Sequence, residues 1–130
     1  MSESEYWLDL AKYDLETAKA MNDSKRYLYV GFMCHQVIEK ALKAYYSSRF
    51  KDAPPYTHNL GLLAQKVGLY SVLTEEQKNF LDFLEPLNIE ARYPTQKGNL
   101  LALLTREKCM DIICRTESEF QWVMTRLKIK

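Results

Sequence analysis

The feature that most limits what this chain can fold into is the stretch from Tyr27 to Tyr46, YLYVGFMCHQVIEKALKAYY. At about 100° per residue, Val30, Cys34, Val37, Ile38, Ala41, Leu42 and Tyr45 gather on one arc. Gln36, Glu39, Lys40 and Lys43 gather on the opposite one. This periodicity predicts an amphipathic helix with one face committed to a core. Its first half is apolar on the second side too, because Tyr29, Phe32 and Met33 lie on or beside the polar arc. A helix apolar all round needs cover on both sides. Another helix of the same chain can supply it, or a second subunit.

The flanking sequence supplies further helices. Ser4 is the expected cap of a first helix running to about Met21, with Glu5 near its positive end. Trp7, Ala11, Leu15, Ala18 and Met21 form its apolar stripe, and Asp14 falls inside that stripe. A carboxylate there requires an opposing cation or backbone donors; Arg92 is the first expectation, with Lys40 and His35 as alternatives. Asn22-Asp23-Ser24 reads as a short turn, with Asp23 or Ser24 capping the central helix. So short a connection implies antiparallel neighbours.

After Tyr46, Pro54-Pro55 forbids helix and favours extended chain. Thr57 is the expected cap of a short helix from His58 to about Val67, with Gly68 as its left-handed terminus. Thr74-Glu75-Glu76-Gln77 matches a capping box and opens a further helix with Phe80, Leu81, Leu84 and Leu87 as its stripe. Pro86 is expected to kink that helix near Asp82 or end it at Glu85. ARYPTQKGN reads as an exit into a polar turn, followed by the apolar run after Asn99. Thr105 caps a last helix to about Leu127, with Cys109, Ile112, Ile113, Phe120, Val123, Met124 and Leu127 on one arc. The fold class is therefore all-α, an antiparallel up-and-down bundle of about five helices in one domain spanning 1–130.

Composition agrees and excludes several classes. A chain of 130 residues with 18 Lys and Arg against 17 Asp and Glu has no net field to steer it to nucleic acid or membrane. No run is long enough to span a bilayer, and the opening MSESEYW is not a secretory signal. Three cysteines without framework spacing indicate reduced thiols and a cytoplasmic location.

Chemistry-bearing motifs are few. Cys109 and Cys114 diverge by about 140° on a helix, so they do not make a metal pair; no metal and no cofactor are expected. Cys34 and His35 are adjacent and do not face each other, with Cys34 in the core and His35 at its border. No Gly-rich phosphate loop or hydrolase signature is present. His58, at a helix start after a double proline, and Arg92, leaving a helix at a proline, are placed to be presented rather than buried. Loop anchoring is the structural alternative for both.

Four segments in series carry a resemblance. Asp14-Leu15 with Ala11 and Ala18, Glu39-Lys40-Ala41-Leu42-Lys43-Ala44, Thr57-His58-Asn59-Leu60 and Ala91-Arg92-Tyr93-Pro94 resemble the HEPN domain family in order and spacing, over nearly the whole chain. The resemblance implies a small helical bundle that usually forms a homodimer. Many members accompany a minimal nucleotidyltransferase, some are RNA-cleaving toxins, and others have been proposed to bind nucleotides. Ribonuclease members carry an Arg followed after four to six residues by a His. Here Arg92 is followed by YPTQKGN, and no histidine occurs after His58. Asn99 at comparable spacing cannot exchange a proton near neutral pH.

The expectation is thus a non-nucleolytic, dimeric HEPN module binding a nucleotide or a nucleotidyltransferase-type partner. His58, Arg92, Tyr93, Lys40, Lys43 and Asp14 are its expected ligand-binding residues, with Arg49 and Lys51 as further phosphate contacts. An ordinary solvated face is the alternative for the lysines. The competing function is a divergent ribonuclease with RNA as substrate, built on Arg92 and His58.

Overall fold

The structure, a computed structural model, describes residues 2–92 and 102–128, with side chains for 2–88 and 102–127. Among the described residues there are five α-helices, one short 3-10 turn and no strand. They are α1 (Glu3–Asp23), α2 (Tyr27–Arg49), α3 (Leu60–Val67), the 3-10 turn Tyr70–Val72, α4 (Glu75–Arg92) and α5 (Arg106–Lys128). Tyr93, the polar turn through Asn99 and the side chain of Arg92 lie outside the described residues.

Local signals set most helix ends. The Thr74 hydroxyl accepts from the Gln77 amide at 3.1 Å while the Gln77 side chain accepts from the Thr74 amide at 2.8 Å, the reciprocal box expected at the start of α4. Thr105 caps α5 by accepting from the Lys108 amide at 3.1 Å. Gly68 ends α3 with φ 86°, a conformation that costs a residue without a Cβ little.

Three expected caps differ. The cap of α1 is Ser2, which accepts from the Glu5 amide at 3.1 Å, while the Ser4 hydroxyl donates to the Ala44 carbonyl at 2.9 Å. Neither Asp23 nor Ser24 caps α2. Lys25 turns the chain at φ 63°, and Arg26 precedes α2 without a side-chain capping bond. For α3 the cap is Asn59, accepting from the Leu62 amide at 3.0 Å, and Thr57 instead receives the Asn59 amide at 3.1 Å. His58, bonded outward to α2, holds this segment extended for two residues longer than the expected start.

Pro86 neither ends α4 at Glu85 nor limits it, since the helix continues to Arg92. Asp82 and Pro86 are both exposed. The carbonyl left unpaired by the proline therefore faces water, where it costs little.

Direction follows from cross-links between helices. Ser4 meets Ala44 and Asp14 meets Lys40, so α1 and α2 are antiparallel. Glu85 meets His35, and a Cβ on Gly31 would stand 2.7 Å from Leu87 Cδ1, so α4 is also antiparallel to α2 and pressed close against it. Cys109 meets Tyr27 at the start of α2 and Arg126 meets Arg49 at its end, which makes α5 parallel to α2. The long helices run up, down, up and down, and α2 packs against all four others.

The apolar arc of α2 is buried as its periodicity predicts, together with Leu15, Leu60, Leu63, Phe80, Leu84, Ile112, Phe120 and Val123. Its polar arc is not a solvated face. Gln36, Glu39 and Lys43 are buried as well, and His35 is fully buried rather than at a border. On the second apolar side, Met33 packs against the core, Phe32 is half-buried and Tyr29 remains 46% exposed. Cys34 and Cys109 are buried free thiols, pushed up to about 12 and about 11 by burial, so both are inert at neutral pH.

Candidate functional site

The polar groups buried beside α2 form one connected centre. Glu39, 4% exposed, divides its two carboxylate oxygens between two donors. Lys43 Nζ, one turn along the same helix, donates to Oε2 at 3.0 Å. His58 Nδ1, from the loop before α3, donates to Oε1 at 2.9 Å. An ionised carboxylate only accepts, so Nδ1 is the donor in this contact and Nε2 takes no part in it. The His58 side chain is 43% exposed, so that nitrogen faces the surface from a buried anchor. The Tyr56 ring stands edge-on to it with centroids 5.9 Å apart and is almost fully solvated.

His35 links this centre to α4. Its Nε2 lies 3.4 Å from Glu85 Oε1, and its Nδ1 points toward Glu39 Oε1 at 3.9 Å, beyond hydrogen-bond reach. The same Glu85 oxygen accepts the Leu60 amide at 2.5 Å, which pins the first turn of α3. Burial pushes the Glu85 carboxyl up, but bonds from His35 and the Leu60 amide, with the charges of His35 and His58, hold it below the ordinary carboxylate range.

The second ion pair is Asp14 with Lys40, joining α1 to α2. The carboxylate inside the apolar stripe thus has the cation it requires. The partner is Lys40, the alternative to Arg92, because its helix faces α1 along its length. Lys43 also lies over the Trp7 ring at 5.4 Å, so both central lysines are engaged within the chain.

Of the expected ligand-binding residues, the fold brings His58 and Lys43 together through Glu39 and places Asp14 and Lys40 in a neighbouring pair. Arg92 and Tyr93 carry no described side chain. Arg49 stacks on the Tyr45 ring at 3.9 Å and donates to the Arg126 carbonyl at the far end of α2. Glu39, His35 and Glu85 are site members outside the expected binding residues, although Glu39 lies in one of the four resembling segments and His35 is an alternative partner for Asp14. The i,i+4 spacing of His35, Glu39 and Lys43 is a usable signal for them, since such residues share a face.

A groove of about 520 Å³ opens between α4 and α5, with Phe83, Leu87, Leu103, Leu104 and Ile112 among its walls. Phe83 and Leu103 are exposed large apolar groups in it. Among the described residues no group of His, Cys, Asp and Glu is arranged to hold a metal, and no helix is long and apolar enough to cross a membrane.

The fold finds a counterpart in a solved structure, the crystal structure of ST0689, described as an archaeal HEPN homologue. The two chains share 22% identity with a TM-score of 0.68, over 98% of this chain and 99% of that one. At that identity the likeness establishes the fold. No curated protein matches the chain. The family model described as HEPN domain matches residues 4–127, nearly the full length, and the chain therefore belongs to the HEPN domain family.

Proposed function

We propose that this HEPN chain is a non-nucleolytic homodimeric binding module whose partner is a protein of the minimal nucleotidyltransferase type. The observation that carries this reading is the engagement of its central cations. Lys40 is committed to Asp14 and Lys43 to Glu39. Opening either pair to admit a phosphate would leave a carboxylate uncompensated inside the bundle. Apolar surface, by contrast, is open at the end of the bundle formed by the second half of α4 and the start of α5. There Phe83 and Leu103 are exposed in one groove, and exposed apolar groups in proximity mark association surfaces.

The test has three arms on the purified chain. Light scattering across a dilution series gives twice the chain mass. A purified minimal nucleotidyltransferase binds in titration calorimetry, and Phe83→Glu weakens that binding while leaving the helical spectrum intact. A monomer at high micromolar concentration, or binding of ATP or GTP in place of the protein, defeats the corresponding part.

One observation favours the second reading, a divergent ribonuclease acting through His58 and Arg92. A carboxylate holding one ring nitrogen while the other faces solvent is the orientation a general base needs. Under that reading single-stranded RNA is cleaved, and Glu39→Gln, His58→Ala and Arg92→Ala each abolish cleavage in folded protein. Under the first reading RNA stays intact.

A further inference from the structure

A second cleft, of about 280 Å³, lies between α4 and α5 and away from the His58 centre. Glu76, Gln77, Phe80, Arg115, Glu119 and Trp122 are among the residues that line it. Its polar anchor is Glu119, only 8% exposed. The Gln77 side chain, already held by the Thr74 capping box, donates to the Glu119 carboxylate. Among the described residues no Lys, Arg or His nitrogen forms an ion pair with it, although every other buried carboxylate has one. Arg115, one turn earlier on α5, lies over the Phe80 ring at 4.5 Å instead, and Arg126 lies over Trp122 at 4.9 Å.

We propose that this cleft binds a small organic cation, a primary ammonium or guanidinium, with Glu119 as its counter-ion. Three features select that chemistry. A buried carboxylate without a cation gains most from a ligand that brings one, because both charges are then paired out of water. Phe80 and Trp122, with Arg115 and Arg126 already over their rings, give the ligand's carbons an apolar wall. The charges facing the cleft are Glu119 and Arg115 from α5 and Glu76 from α4, two carboxylates against one guanidinium. A volume of about 280 Å³ suits a ligand of a few carbons rather than a nucleotide, being at the lower end of small-molecule sites.

The experiment titrates propylammonium and ethylguanidinium chloride into the full chain, with sodium chloride at matched ionic strength as reference. The Gln77 side-chain amide and the Trp122 indole are followed by NMR. Saturable shifts at pH 8 that weaken at least about tenfold in Glu119→Gln are expected, since a charge-assisted contact contributes about that factor. Binding at pH 8 is tighter than at pH 6, because burial raises the Glu119 carboxyl to about 7 against the opposing Gln77 bond, and only the ionised form pairs with the cation. Glu119→Gln is near-isosteric, and an unchanged near-ultraviolet spectrum shows that the cleft survives it. The absence of saturable shifts overturns the proposal, as does equal binding by Glu119→Gln. Binding that emerges only in Arg115→Gln also overturns it, since Arg115 would then be the native occupant.

Discussion

Glu85 and Glu119 are both carboxylates drawn into the bundle, and their surroundings push them in opposite directions. Glu85 sits where α2, α3 and α4 meet, beside His35 and under the Leu60 amide, and its carboxyl is held below the usual range. Glu119 sits on the α4–α5 seam with one neutral amide as its donor, and burial drives it up to about 7. Burial alone acts the same way on each. The difference is the presence of donors and cations on neighbouring elements, which decides whether a buried charge braces the fold or burdens it.

That contrast sets opposite pH slopes. Glu85 has a lowered folded value, so its contribution is fully present above the ordinary carboxylate value and is lost as pH falls through the folded one. Glu119 has a raised folded value. Below about 4.5 both folded and unfolded forms carry the proton, so Glu119 costs nothing. As pH rises to about 7 the unfolded form ionises first, and the cost grows until it levels off above that value.

The largest expected effect tests the paired side of the contrast. Glu39→Ala strips the counter-charge from buried Lys43 and the anchor from His58, and should cost about 3–5 kcal/mol in urea denaturation. Leu42→Ala supplies an apolar yardstick from the other face of the same helix, at about 2–5 kcal/mol. A Glu39→Ala loss below about 1 kcal/mol, at the level of an exposed pair, would show that the polar centre is not braced.

The unpaired side predicts a gain. Glu119→Gln should stabilise the chain by about 1–3 kcal/mol at pH 8 and by almost nothing near pH 4.5, the size following from the displacement of the carboxyl. A pH-independent effect would place the change in packing rather than charge. The smallest effect is Thr74→Ala, about 1 kcal/mol from loss of the α4 cap. Because Gln77 joins that cap to Glu119, the variant should also shift the pH at which Glu119 titrates, read by carboxyl NMR. An unmoved titration would show that the two ends of Gln77 are independent.

Part of this architecture is legible in the chain alone. Gly68, the Thr74–Gln77 box and the Thr105 cap make their contacts within a few residues, so the chain specifies them locally, and the apolar arcs fix the helices and their faces. Glu119 leaves a fainter trace: on the α5 wheel it lies about 20° from Ile112, at the edge of the buried arc. Its i−4 neighbour Arg115 shares that face, so the wheel alone would pair the two; only the fold turns Arg115 over the Phe80 ring instead.

The helices, their buried stripes and the requirement that Asp14 meet a cation all follow from the order of residues. The tertiary structure alone decided which cation, since Lys40 is 26 residues away and becomes a neighbour through the antiparallel return of α2. It likewise decided that Glu39 and Lys43 are covered, because their cover comes from other elements: Trp7 of α1 lies against Lys43, and His58 from the loop before α3 against Glu39. A helical wheel records which residues share a face; whether that face meets water or another helix depends on contacts distant in the chain.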